Sequence, residues 1–464
     1  MKLNNRSIQL IGVYLIVTIS LVLLYFVSLP TAPEMNNDSP AYQDGAKDLL
    51  DNGQLDEAQM RPIGYAIILI LTDSVEGPNR ALYLFQLILH AMTVSVVIYL
   101  LIKFDISRYG YLLFFIFAWL PSSVSAASKV LTETPTAFCL SIGIAGLLLY
   151  IKDGKLLWLI PSSVLLAFSA WVRPTYQYLS LTLVVFLLVI YFLKYFDSTT
   201  HRRLLVSSLV LTIGYFVIVG GYLAYNRANF GFTGLSPIAG FNLTTRTVRF
   251  VDKLPDEYAV EREILVKYRD RRLVIPNDYP IHTGYVYIWS TGAIPELMDA
   301  TGLSFVELSQ RLQSANIGLI IDNPLEYLIE VSHGLTRYWF PVGGIGLNSK
   351  ITTLIWLIVH YSIVVLYLAS VITLMIAVGF AFLFRKSLNK LSLPLIKFDL
   401  RIVLVAIVFM VVVQTGVISA AVDVGYPRHR IPVEMLIYAS LLVQFSVLHN
   451  LYQNIKSFLS ENES

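Results

Sequence analysis

Several uninterrupted apolar runs of about twenty residues constrain this chain more than any other feature, because a helix of that length crosses a hydrocarbon core ~30 Å thick. Unpaired backbone groups are so costly in lipid that such runs have to be α-helical. Apolar length places spanning helices at 8–29, 81–103, 109–125, 131–152, 156–172, 176–194, 204–225, 351–384, 401–421 and 431–451, about ten in all. The run at 351–384 exceeds one crossing and implies tilt or extension beyond the bilayer. Residues 1–29 have the basic start and apolar stretch of a signal peptide. Their run is longer than a usual ~7–15 residue signal core and no small-x-small cleavage site follows, so the segment is expected to stay as the first helix. The expected fold class is all-α, a polytopic membrane helical bundle with a small extracytoplasmic cap of amphipathic helices.

Composition supports the same class. Of 464 residues, 56% are hydrophobic and 14% charged, against roughly 25% charged in an ordinary soluble domain. A net charge of +3 with no basic, aromatic-interleaved stretch argues against a nucleic-acid partner. Cys139 is the single cysteine, so one chain can build neither a disulfide framework nor a cysteine metal site, and it is expected to be a small core residue.

Orientation follows from the short loops, where Lys and Arg stay cytoplasmic. With the amino terminus inside, Lys2 and Arg6, Lys103 and Arg108, Lys152 and Lys155, and Lys194, Arg202 and Arg203 all fall inside. The cluster of Arg385, Lys386, Lys390, Lys397 and Arg401 does so too. Two substantial segments, 30–80 and 226–350, are then outside. The expected organisation is a core at 1–225 that includes the first outer loop, a cap at 226–350, and carboxy-terminal helices at 351–464. Within the outer segments, 41–50 has helical spacing, and 63–71 is too short to span and suits an interfacial helix. The amphipathic stretches at 305–321 and 324–338 suit a cap lying on the membrane surface. There is no long internal repeat, which weighs against an inverted-repeat transporter.

Chemistry-bearing residues gather in the outer segments. Asp38, in Asn37-Asp38-Ser39-Pro40-Ala41-Tyr42, falls at the outer boundary, where a carboxylate can meet both a lipid phosphate and a water-borne acceptor. It can act as general base on an acceptor hydroxyl or amine, or cap the helix that begins near Pro40. Glu133, in Lys129-Val130-Leu131-Thr132-Glu133-Thr134-Pro135, can bind the acceptor or hold a metal while Lys129 meets a phosphate. It can equally mark a helix start with Pro135 in the first turn.

Arg173-Pro174 ends the fifth helix on the side where an uncompensated arginine is disfavoured, so something anionic is expected beside it. The segment Gly425-Tyr426-Pro427-Arg428-His429-Arg430-Ile431-Pro432 places two arginines and a histidine on that same side. They can bind a phosphate or diphosphate through charge-assisted hydrogen bonds, or pair with Asp423, Glu434 or headgroups. Arg61 carries the same ambiguity. Gln86 and His90, one turn apart inside the second helix, suit a bundle-packing hydrogen bond. Asn226, Asn242 and the Asn323-Pro324 turn are read as structural.

The order of these motifs resembles the GT-C superfamily of multi-pass glycosyltransferases, especially the branch of protein O-mannosyltransferases and aminoarabinose lipid A transferases. The resemblance covers most of the chain. It runs through Asp38 with Tyr42, Arg61-Pro62-Ile63-Gly64-Tyr65, Leu131-Thr132-Glu133, Arg173-Pro174, the stretch 226–231, Asn323-Pro324-Leu325-Glu326-Tyr327-Leu328, and Arg428-His429-Arg430-Ile431-Pro432. It implies a polyprenyl phosphate or diphosphate sugar donor, its tail in the membrane and its head in a cavity under the outer cap; the charge bias puts that face on the periplasmic or extracellular side, and the modest length and compact loops suit a bacterial inner membrane. Asp38 is then the catalytic base, with Glu133 on the acceptor side. By the same resemblance Arg61, Arg173, Arg428 and Arg430 bind the phosphate; Lys129 and His429 are candidate phosphate contacts by their own chemistry, and Tyr42 and Tyr426 are candidate cavity residues. The acceptor is a lipid, glycan or protein, and no cofactor is implied; a divalent metal is possible but no ligand pattern indicates one. Two departures stand out: Ser39 occupies the place where many relatives carry a second acid, and Arg61 precedes a single proline. A transporter or flippase, and an outer-face polysaccharide polymerase or ligase, are the competing readings.

Overall fold

The apolar runs are helices in the computed structural model, which describes residues 5–28, 32–53, 61–194, 196–273, 287–289, 292–340, 350–383, 399–423, 425 and 427–462. The first part of the chain gives α1 (Asn5–Ser28), α2 (Ser39–Asn52), α3 (Ile63–Leu71), α4 (Arg80–Lys103), α5 (Arg108–Ala118), α6 (Glu133–Asp153), α7 (Leu156–Val172), α8 (Leu179–Leu193) and α9 (Ser198–Phe230). Shorter helices follow: α10 (Ala239–Thr247), α11 (Ala259–Leu273), α12 (Ala293–Thr301), α13 (Phe305–Asp322) and α14 (Pro324–Trp339). The chain ends in α15 (Lys350–Leu383), α16 (Leu400–Val422) and α17 (Ile431–Asn462).

Among the described residues seven helices are long and apolar enough to cross a membrane, and three shorter apolar helices, Gly12–Ser28, Arg108–Ala118 and Leu156–Val172, accompany them. The segment expected to span at 109–125 departs from its expectation. Its helix has 11 residues, a rise of about 16 Å, and it stops at Ala118 before a separate turn, Pro121–Val124, that opens on proline. Proline lacks the N–H an unbroken helix needs and clashes with the preceding turn, so the run breaks there.

The bundle core forms around α6, whose Leu140, Ile144, Leu147, Leu148 and Ile151 are buried against α4, α7 and α17. Polar groups on α4 are consumed by neighbouring backbone. Gln86 donates to the Ala127 and Lys129 carbonyls (3.0 Å each) and the His90 Nε2 meets the Ala118 carbonyl at 2.9 Å. Each therefore packs the bundle, but through different segments and not with the other.

A second core, with Phe241, Val251, Leu265, Leu297, Leu312 and Leu319 buried, lies among α10 to α13. A Ser304–Glu307 capping box starts α13 and Pro324 in the first turn starts α14. The fully buried Arg246 of α10 donates to the Glu330 carbonyl of α14 (3.0 Å) and the Ala420 carbonyl of α16 (3.4 Å). That side chain ties the short helices to the end of a long apolar one. At the other end of the bundle the Lys152 ammonium donates to the Lys103 carbonyl and Arg203 to the Ile151 carbonyl.

Candidate active site

The first loop is stitched to the segment before α6, which sets where Asp38 lies. The Glu34 N–H donates to the Ser128 carbonyl (2.8 Å) and the Val130 N–H to the Glu34 carbonyl (3.0 Å), a single parallel bridge. Ser39, fully buried, donates to the Val130 carbonyl (2.8 Å) and accepts from the Asn36 N–H (2.7 Å). Asp38 holds the N-cap position of α2, yet its side chain makes no cap hydrogen bond. Its buried carboxylate instead meets two arginines: Arg61 Nη2 at 3.2 Å from Oδ1, and Arg428 Nη2 at Oδ2. Burial works to raise the Asp38 carboxyl, but Arg428, Arg61 and Arg173 outweigh it and hold it below its ordinary 3.8.

Arg61 reaches Asp38 because α3 lies hard against the end of α7. A Cβ on Gly64 would stand 2.6 Å from the Trp171 carbonyl carbon and 2.7 Å from the Val172 nitrogen, so only glycine permits this approach. The Arg61 guanidinium also sits 5.8 Å from the centre of the Tyr42 ring, a cation–π contact. Tyr42 in turn packs edge-on against Tyr65, with centroids 5.1 Å apart. Burial raises the Tyr42 hydroxyl pKa, which keeps it protonated.

Beside this pair, Glu133 at the start of α6 meets Arg173 at the end of α7, Nη1 to Oε1 3.2 Å. The contact is an ion pair without hydrogen-bond alignment, and the second carboxylate oxygen of Glu133, buried, has no hydrogen-bond partner among the described residues. The anion expected beside Arg173 is thus Glu133.

The turn Pro427–Arg430 that opens α17 supplies the remaining groups. Gly425 is left-handed (φ +71°), and a Cβ there would fall 2.2 Å from the Gly334 carbonyl oxygen, so the turn is pressed onto α14. Its three basic residues then diverge. Arg428 goes to Asp38. The His429 Nδ1 meets Ser419 Oγ at 2.5 Å and its Nε2 lies 3.6 Å from Asp423, so the ring anchors the turn to α16. Arg430, 1% exposed, donates to the Tyr338 and Trp339 carbonyls and lies 3.3 Å from Glu434.

Asp38, Arg61, Tyr42, Glu133, Arg173 and Arg428 therefore share one end of the bundle, while His429 and Arg430 adjoin them with their polar atoms turned to α14, α16 and α17. Among the described residues Lys129 forms no ion pair; its carbonyl is what Gln86 uses. Tyr426 lies outside the described residues. Among those described, no three His, Cys, Asp or Glu side chains form a group that could hold a metal ion. Sequence reasoning missed Ser39, Ser419, Gly64 and Gly425 as the parts that position the ionic groups; the glycine in Arg61-Pro62-Ile63-Gly64 was the available signal. Three guanidiniums against two carboxylates leave the central cluster with one surplus positive charge, suited to an anion.

These helices and this cluster define an integral, multi-pass membrane protein with an ionic site at one end of its bundle. No family model and no curated protein matches the chain. Among solved structures it is similar to ArnT from Cupriavidus metallidurans in the apo state, at 16% identity over 96% of this chain and 78% of that one, with a TM-score of 0.34. It is similar also to the same protein bound to undecaprenyl phosphate, at 14% identity over 94% and 77%, with a TM-score of 0.34.

Proposed function

We propose that this protein is a glycosyltransferase that moves a sugar from a polyprenyl-phosphate donor to a lipid, glycan or protein acceptor at the extracytoplasmic face, with inversion. The observation that carries the reading is the convergence of Asp38, Arg61 and Arg428 at one end of a membrane bundle. A carboxylate suited to take a proton lies beside guanidiniums suited to hold a phosphate, where a lipid-borne donor and a water-borne acceptor can meet. Residues 226–350 serve as the cap over that end.

In the proposed step the acceptor oxygen or nitrogen attacks the anomeric carbon as its proton passes to the Asp38 carboxylate. The bond from that carbon to the phosphate oxygen breaks, and the lipid phosphate leaves with the electron pair. Arg61, Arg428 and Arg173 stabilise the charge on the departing phosphate, a contribution that grows in a site shielded from water. Glu133 borders the acceptor side. Arg430 and His429 hold Arg428 in place rather than meeting the phosphate themselves, and this reading calls for no cofactor.

The test is release of free polyprenyl phosphate from a panel of polyprenyl-phosphate sugars mixed with acceptors, by purified protein in nanodiscs. Acceptor-dependent release that disappears in Asp38→Asn supports the reading. Absence of consumption of every donor, with directional movement of an intact lipid-linked substrate, would turn it to a flippase. The ion pairs among the described residues lie at helix ends, in the first outer segment (Lys47–Glu76) or in the 226–350 segment rather than within the long apolar helices, which favours interfacial chemistry over transport. A polymerase or ligase would be told apart by products of variable glycan length from a diphosphate-linked donor.

A further inference from the structure

We infer that Asp38 is the resting occupant of the site's own phosphate clamp, and that the donor phosphate takes its place between Arg61 and Arg428, which frees the carboxylate to act as base. This inference rests on the proposed transferase reading and adds a means by which the site stays inactive until a donor is bound.

Three observations carry it. First, both oxygens of one carboxylate are engaged, each by a different arginine, so the catalytic anion sits where a phosphate bridging the same two guanidiniums belongs. Second, among the described residues the Asp38 side chain has no further ion pair or hydrogen bond: it stands at the N-cap of α2 without capping it, and Ser39 makes the tie to Val130. The carboxylate can therefore rotate off the arginines without unmaking the helix start. Third, the arginine side chains are 26% and 25% exposed while the carboxylate behind them is 8% exposed. An arriving anion meets the open faces of Arg61 and Arg428 before Asp38 has to leave, so the exchange passes through a shared state and not a bare pair of charges.

The exchange also resolves a conflict within the site. A general base works best with a pKa near the working pH, whereas the arginines hold the Asp38 carboxyl below its ordinary value. A phosphate that takes over those arginines removes the pull and adds a negative neighbour, and both changes raise the affinity of the carboxylate for a proton.

The experiment measures binding of farnesyl phosphate, with farnesol as the uncharged control, to nanodisc-embedded wild type, Asp38→Asn, Asp38→Glu and Arg428→Gln. An internal competitor lowers apparent affinity by the fraction of time the clamp is open, so Asp38→Asn is expected to bind roughly tenfold tighter or more. Asp38→Glu should bind as wild type does, and Arg428→Gln should bind least. Equal or weaker binding by Asp38→Asn overturns the inference, and leaves the transferase reading standing if wild type still releases polyprenyl phosphate. Failure of wild type to bind farnesyl phosphate in preference to farnesol overturns both. Infrared difference spectra on wild type grown with isotope-labelled aspartate need no variant: farnesyl phosphate should shift an aspartate carboxylate band, and an unchanged aspartate region overturns the exchange.

Discussion

Arg428 donates to Asp38 across 390 residues of sequence, so the opening turn of the last helix and the loop after the first meet at one carboxylate. Neither half of the chain holds this site alone. Arg61 completes it from a third segment, brought in by the close approach of α3 to α7 at Gly64. The site is thus a product of the assembled bundle.

Removing the fork of Arg428 should remove most of the transition-state stabilisation proposed for it. Arg428→Gln is expected to lower single-turnover release of polyprenyl phosphate by roughly a hundredfold or more. Arg428→Lys should recover only part, because an ammonium keeps the charge without the planar fork. Full activity in Arg428→Gln would exclude the guanidinium from the phosphate site.

Glu133 and Arg173 predict an asymmetry in stability. Their side chains are 2% and 11% exposed, so deleting the arginine strands a carboxylate deep in the protein. Breaking such a pair costs about 3–5 kcal/mol, whereas replacing both partners by neutral groups can cost little. Arg173→Met should therefore lower the thermal midpoint more than Glu133→Gln does, and the double variant should regain part of the loss. Additive losses in the cycle would show that the two do not interact.

How far the sequence revealed this arrangement depends on the kind of signal. Apolar length located the helices, because the need to satisfy backbone groups in lipid leaves few alternatives. Charge bias placed Asp38, Glu133, Arg61, Arg173 and Arg428 at a common end, and there the structure brings them together. The partners of individual arginines were not legible. Arg428 and Arg430 look alike in sequence, but the short helical turn they share points one at Asp38 and buries the other against the Tyr338 and Trp339 carbonyls. Asp38 matched an N-cap in spacing as well as a base, and only three-dimensional contact shows that its side chain caps nothing. The break at Pro121 was visible as a residue and outweighed by the apolar run around it.

The depressed Asp38 carboxyl sets a pH window. Its native pKa lies below the ordinary 3.8, so between those values the unfolded chain binds the proton that the folded one refuses. Stability from this group is then fully present above about pH 5 and falls away as pH drops through the native pKa. The difference in thermal midpoint between wild type and Asp38→Asn should be constant near neutrality and change only as pH falls below that ordinary value. A difference already changing between pH 6 and pH 8 (about two units of range above the window) would mean that another group carries it.

Gly64 offers a test that touches no charged residue. Its added methyl would meet Trp171 backbone at 2.6 Å and Val172 backbone at 2.7 Å, and backbone cannot rotate aside as a side chain can. In Gly64→Ala, α3 has to move away from α7, at a cost of about 1–3 kcal/mol. Arg61 stands three positions before Gly64, and Arg173 directly follows Val172, so the same displacement draws both arginines away from Asp38 and Glu133. Binding of farnesyl phosphate should weaken along with the thermal midpoint. Gly77→Ala, where the methyl meets nothing within 4 Å, is the matched control and should change neither. Should Gly64→Ala lose stability but bind farnesyl phosphate as tightly as wild type, the contact between α3 and α7 would be packing alone, and Arg61 would owe its place to Tyr42 and Asp38 instead.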